Sequence, residues 1–172
     1  GLGRIGRAVA KRLEGFGVEI SYYGRTRQDV PYAYRPTLLD LARDCHVLIC
    51  VAPGSAETNG IIDAAVLEAL GPDGILINVG RGSVVDEPAL IRALAAGTIL
   101  SAGLDVFADE PNVPAELVAM AQVVLPPHVG SASVETRRAM GQLVVDNLVS
   151  WFAGKGPLTP VPETPWQGPA FA

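Results

Sequence analysis

Three strongly polar residues, Arg81, Glu110 and His128, each follow a short apolar run in a chain of 172 residues. Asn78-Val79-Gly80-Arg81-Gly82-Ser83 closes one run, Leu104-Asp105-Val106-Phe107-Ala108-Asp109-Glu110-Pro111 the next, and Leu125-Pro126-Pro127-His128-Val129-Gly130-Ser131 the third. An arginine is always charged and offers a planar fork that matches a carboxylate. A histidine changes protonation near neutrality, and a carboxylate beside it favours the charged ring. Such a set could grip an anion and move a proton. Singly, each has a plainer reading: a surface cation, a solvated loop acid, a residue opening a helix. Three of them at successive strand ends argue for one site.

A second constellation opens the chain. Gly1-Leu2-Gly3-Arg4-Ile5-Gly6 is a G-x-G-x-x-G turn, followed by a helical pattern and then a strand. In such a turn the first glycine makes the bend, the second lets backbone approach a pyrophosphate, and the third lets helix and strand pack closely. The N–H groups and positive dipole end of the helix, at Arg4 and Ile5, would face that pyrophosphate. Where a dinucleotide site that prefers NAD places an acid at the end of the next strand, this chain has Gly24, followed by Arg25, Thr26 and Arg27. A carboxylate there would repel a 2′-phosphate, whereas guanidinium groups bind one through paired hydrogen bonds. The expected cofactor is NADP(H), with NAD(H) possible; a solvated basic loop is the plainer alternative. The turn needs a strand to feed it, and none precedes Gly1, so the chain reads as the later part of a longer polypeptide.

The elements that must position these groups alternate in kind. Apolar spacing predicts helices over residues 4–16, 37–43, 61–70 and 131–152, and strands over 18–23, 47–51, 74–79, 99–106 and 123–125. Asp86, Pro88 and Gly97 bracket a further helix with an acidic cap, an early proline and a closing glycine. The pattern predicts an α/β fold, a doubly wound parallel sheet whose ligand crevice lies beyond the carboxyl ends of the strands. Residues 1–153 are expected to form a dinucleotide-binding domain lacking its first strand. Residues 154–172, rich in proline, are expected to run extended toward a separate substrate domain.

Composition narrows the class. A net charge of −5 with scattered Lys and Arg gives no basic stripe for nucleic acid. No apolar run is long enough to span a membrane. Cys45 and Cys50 flank a strand pattern and read as small core residues in a reducing, cytoplasmic setting, with neither a disulfide nor a metal expected. His46, the only other histidine, opens a strand and reads as structural.

The three signature segments, in order, resemble the D-isomer-specific 2-hydroxyacid dehydrogenase family from Gly1 to about Val161. The resemblance implies that Arg81, Glu110 and His128 are catalytic, that Asp105 lies beside the nicotinamide, and that Pro53 and Thr58 line the cofactor cleft. Ala52, Val79, Gly80, Gly130 and Ser131, with Arg81 and His128, complete the expected cofactor-binding set. It also implies a small 2-keto or D-2-hydroxy acid as substrate and a homodimer. Arg81 would hold the substrate carboxylate, His128 would give or take the proton, and Glu110 would raise the His128 pKa. Gly24-Arg25 resembles the NADPH-using glyoxylate and hydroxypyruvate reductases. Two alternatives stay open: a phosphoglycerate or phosphite dehydrogenase of the same family, and a nucleotide-sensing corepressor that keeps the trio.

Overall fold

The structure, a computed structural model, describes residues 1–161 and 163–168. Part of the expected extended tail, Pro162 and residues 169–172, lies outside the described residues. The chain packs as two units, Gly1–His128 and Val129–Ala172. Packing therefore divides it at residue 128, whereas the sequence pattern groups everything to 153.

In the first unit, helix α1 (Arg4–Leu13) runs on through a 3-10 turn to Phe16 and stops at Gly17, whose φ of 68° is left-handed. Two short parallel strands follow, β1 (Ser21–Tyr22) and β2 (Ala33–Tyr34). Helix α2 (Leu38–Asp44) leads to β3 (Val47–Cys50), α3 (Ala64–Leu70) to β4 (Ile75–Asn78), α4 (Glu87–Ala96) to β5 (Ser101–Leu104), and α5 (Ala115–Ala119) to β6 (Val123–Val124). The last four strands form one parallel sheet in the order β3-β4-β5-β6. This is the expected fold class.

The sheet is in two pieces, β1-β2 and β3-β4-β5-β6. Among the described residues no strand joins β1 to β3. The groove between them is lined by Leu13, Ile20, Tyr22, Leu48 and Val51, and the glycine turn opens into it at Gly1 and Gly6. The Gly1 nitrogen donates to the Tyr23 carbonyl at 3.0 Å, so the turn starts level with the end of β1.

Local chemistry explains most boundaries. Thr37, Asp63 and Asp86 each cap the helix they precede, accepting from the amide three residues on. Asp63 also corrects the expected start of α3. Ile62 is not helical; it bridges to Val85 in a parallel pair, and the helix begins at Ala64. Strand β2 and helix α5 were not expected from the pattern. The first is two residues between Pro31 and Pro36, and the second is five residues opened by Pro114, both too short to show a period. The expected strand over 18–23 pairs only at Ser21 and Tyr22.

The main core joins Leu48, Leu76 and Leu104 from three successive strands with Leu67 of α3 and Leu90 of α4. Leu67 and Leu76 are fully buried. Both cysteines are free thiols in this layer, and burial pushes the Cys45 thiol up to about 11. No helix among the described residues is long and apolar enough to cross a membrane.

The second unit is built on α6 (Val134–Phe152), capped by Ser133 rather than opening at 131. The tail expected to run extended turns back beside α6. Asn147 accepts from the Thr159 amide at 3.1 Å, and Ser150 donates to the Gly156 carbonyl at 2.6 Å.

Candidate active site

The loops after β3, β4 and β5 converge because glycines let their backbones touch. A Cβ at Gly80 would stand 2.5 Å from the Ala52 carbonyl oxygen, and one at Gly82 would run into the Phe107 carbonyl. Any side chain at either position would push these loops apart. Gly54 packs against the stem of Arg81, its Cβ position 3.2 Å from Arg81 Cβ and Cγ. The loop after β4 is shaped from beneath by Asn78, only 1% exposed. Its Oδ1 accepts from the Gly80 amide and its Nδ2 donates to the Arg81 carbonyl, both at 3.0 Å. Asn78 opens a signature segment, but the pattern assigns it no role. An asparagine ending a buried apolar run, just before Gly80, is the signal that could have found it.

Glu110 and His128 meet. Glu110 Oε2 lies 2.7 Å from His128 Nδ1, and Oε1 accepts from the Phe107 amide at 3.0 Å. The His128 hydrogen bond holds the Glu110 carboxyl below its usual range, helped by the Phe107 amide and more weakly by the positive charge of Arg81. Arg81 is thus close enough for Glu110 to feel it. Its Nη1 donates to the Gly80 carbonyl at 2.7 Å, which leaves the rest of the fork to solvent. His128 sits at φ 55°, a left-handed conformation rare for residues other than glycine. With Nδ1 turned to Glu110, Nε2 is the ring nitrogen left to face a ligand. All three side chains are solvent-accessible.

The glycine turn suits a pyrophosphate on two counts. Four helices, α2, α3, α4 and α6, carry a side-chain cap, but α1 has none and no acid in its first turn. Its first amides are left for an anion. A Cβ at Gly6 would run into the Gly1 carbonyl and crowd Val51 Cγ2 at 3.3 Å, so helix and turn need glycine there. At the end of β1, Gly24 is different. Nothing lies within 4 Å of its Cβ position and its φ is ordinary, so packing does not exclude an acid. Arg25, Thr26 and Arg27 beside it are exposed, and the two arginines form no ion pair among the described residues.

The remaining expected cofactor residues divide. Ala52, Pro53 and Val79 sit at the ends of β3 and β4, at the same sheet edge as the trio. Thr58 spends its hydroxyl within its own loop, donating to the Pro53 carbonyl at 2.7 Å. Asp105 is buried just beyond β5, its amide donating to the Asn78 carbonyl at 3.0 Å. Gly130 and Ser131 fall in the second unit. His46 closes a backbone bond from Ile75 at the far end of β3.

A parallel sheet with an uncapped glycine turn at its carboxyl edge defines a dinucleotide-binding domain of the doubly wound class. The chain belongs to the D-isomer specific 2-hydroxyacid dehydrogenase family, whose NAD binding domain matches residues 1–130. It is 54% identical over 162 residues to a glyoxylate/hydroxypyruvate reductase of Arabidopsis thaliana, covering 94% of this chain and 52% of that protein. It is 51% identical to a hydroxyphenylpyruvate reductase of Plectranthus scutellarioides, with the same coverage of 94% and 52%. A crystal structure of the NADPH-dependent glyoxylate/hydroxypyruvate reductase of Sinorhizobium meliloti, in complex with NADP and malonate, superimposes with a TM-score of 0.94 at 56% identity. The match covers 99% of this chain and 54% of that one. The chain therefore spans about half the length of the relatives it matches.

Proposed function

We propose that this chain is the cofactor-binding and proton-transfer half of an oxidoreductase that reduces small 2-keto acids, glyoxylate or hydroxypyruvate first among them, to the D-2-hydroxy acids with NADPH. The observation that carries the reading is the 2.7 Å His128–Glu110 pair, within the field of Arg81, at the sheet edge that holds the uncapped glycine turn. Residues 1–153 act as the dinucleotide-binding domain in this reading. The names of the relatives support the substrate class, and the Gly24-Arg25-Thr26-Arg27 segment supports the phosphorylated cofactor.

The glycine turn, with Gly1, Gly3 and Gly6, would hold a nicotinamide cofactor, whose chemistry would be hydride donation to the carbonyl carbon. Arg81 grips the substrate carboxylate with the free part of its fork and so orients the carbonyl. His128 Nε2 delivers a proton to the carbonyl oxygen as negative charge develops there, and Glu110 holds the ring by Nδ1 and balances its charge. Asp105, Pro53 and Thr58 complete the cleft in this reading, and Gly130 and Ser131 are further proposed cofactor-binding residues. The reverse reaction returns the proton to Nε2. The full protein would act as a homodimer in the cytoplasm, which sedimentation and fractionation would read.

The test uses the full polypeptide, a panel of 2-keto acids, and both cofactors followed by absorbance. NADPH should give the higher kcat/KM, and Arg25→Ala should cost the NADPH side about 1–3 kcal/mol while sparing NADH. Gly24→Asp, at a position whose Cβ meets nothing within 4 Å, should turn the preference toward NADH. Equal use of the two cofactors by the unmodified enzyme overturns the cofactor assignment. Turnover of 3-phosphoglycerate or phosphite, with none of the 2-keto acids, overturns the substrate class.

A further inference from the structure

Gln28 is held at every polar atom it has. Its side-chain oxygen accepts from Arg7 Nε at 3.1 Å and also from Arg7 Nη2, and its side-chain nitrogen donates to the Leu2 carbonyl at 3.0 Å. Its backbone amide donates to the Tyr22 hydroxyl at 2.6 Å, and that hydroxyl reaches the Gln28 carbonyl at 3.3 Å. The partners lie in three places: the glycine turn, helix α1 and strand β1. Gln28 itself follows directly on Arg25-Thr26-Arg27, whose own side chains are exposed. The loop is therefore closed at its start by β1 and clasped at its end to the turn that would hold the pyrophosphate.

We infer that Gln28 is a positioning residue for cofactor choice: through Arg7, Leu2 and Tyr22 it fixes the distance between the glycine turn and the Arg25–Arg27 loop, so that the arginines meet a 2′-phosphate when the pyrophosphate is seated. The inference rests on the NADPH reading above. Glutamine suits the task for a chemical reason. A neutral amide satisfies the Arg7 fork and the Leu2 carbonyl at once, since it both accepts and donates. A glutamate would lose the Leu2 bond and set a carboxylate beside the loop that must attract an anion. Arg7, occupied by Gln28, is likewise a strut and not a phosphate ligand.

The experiment is calorimetry on the full polypeptide with two fragments, 2′,5′-ADP and 5′-AMP, which differ by the 2′-phosphate. Gln28→Met should weaken 2′,5′-ADP by about tenfold and leave 5′-AMP within about twofold, because orientation of a charge-assisted contact is what is lost. Arg7→Met, which leaves the Leu2 bond in place, should shift the same ratio in the same direction by less. If Gln28 acts through the arginine, Gln28→Met added to Arg25→Ala should change the ratio no further than Arg25→Ala alone. Equal loss of both fragments, no loss of either, or full additivity with Arg25→Ala overturns the inference. Arg25→Ala on its own separates the two claims. If that variant leaves the ratio unchanged, the NADPH reading has failed and the role of Gln28 falls with it; if it lowers the ratio and Gln28→Met does not, only the inference has failed. Thermal unfolding of each variant, with a single transition retained, shows that the fold is kept.

Discussion

The core under β3 to β6 draws on every helix from α2 to α5, with Leu67, Leu76 and Leu117 sealed from solvent. Beside β1 and β2 the buried set is Leu2, Ala10 and Tyr22, and the loop after β1 is fixed by polar contacts from Gln28, Tyr22 and Tyr34. The first half carries Arg81, Glu110 and His128 on loops whose bases are set by dense packing and by glycines at van der Waals limits. The second half carries the groups that would choose the cofactor, on a loop set by directional bonds. Dense packing transmits any change of volume, whereas a polar clasp can be retuned bond by bond. On the proposed reading, the reaction would sit in the densely packed half and cofactor choice in the half held by polar bonds.

The comparison can be broken most sharply at His128. His128→Asn is the chosen variant because asparagine tolerates the left-handed backbone there. It should slow keto-acid reduction by about 10²–10⁴-fold, far more than it weakens cofactor affinity, read by single-turnover kinetics and cofactor titration. A fall in cofactor binding of the same size would mean that the two halves are not separable. Next comes Leu76→Ala, expected to cost about 2–5 kcal/mol in denaturant unfolding, since the side chain is fully buried. Tyr22→Phe should cost about 1–2 kcal/mol, because it strips the Gln28 amide of its acceptor but keeps the ring. If Tyr22→Phe destabilises as much as Leu76→Ala, the smaller half is not held in the way described.

The smallest effect concerns Glu110. Its carboxyl is held below the usual range, chiefly by His128, so its contribution is present above the ordinary carboxylate pKa and is lost as pH falls through the lowered one. Glu110→Gln keeps a partner for Nδ1 but removes the charge that favours a proton on the ring. The decline of reduction with rising pH should begin at lower pH in the variant, while the acid-side plateau persists. The difference in Tm between parent and variant should vanish once pH drops below the carboxylate range. Coincident pH–rate profiles for the two proteins would detach Glu110 from the proton transfer.

Much of this was legible from the residues. The Asp86, Pro88 and Gly97 signals gave α4 its bounds, because capping is a local event written in a few side chains. That Glu110 and His128 share one sheet edge follows from order, since parallel strands bring their carboxyl ends together; their pairing was what the family resemblance implied. What stayed hidden depends on contacts distant in sequence. Gln28 looks like any loop glutamine until Leu2, 26 residues away, is placed against it. Asn78 gained a role only when the turn above it was seen to fold over its amide. Strand β2 was missed because two residues between prolines carry no period.

The open space at Gly24 bears on descent as well as on binding. A Cβ there meets no neighbour within 4 Å, whereas one at Gly6 or Gly82 runs into backbone. If Gly24 and the arginines beside it choose the cofactor as proposed, single steps at Gly24 would let selection exchange one cofactor for the other while the scaffold stands still. Across a lineage built on this domain, coenzyme preference should flicker from branch to branch, and the closely packed glycines should record the ancestry.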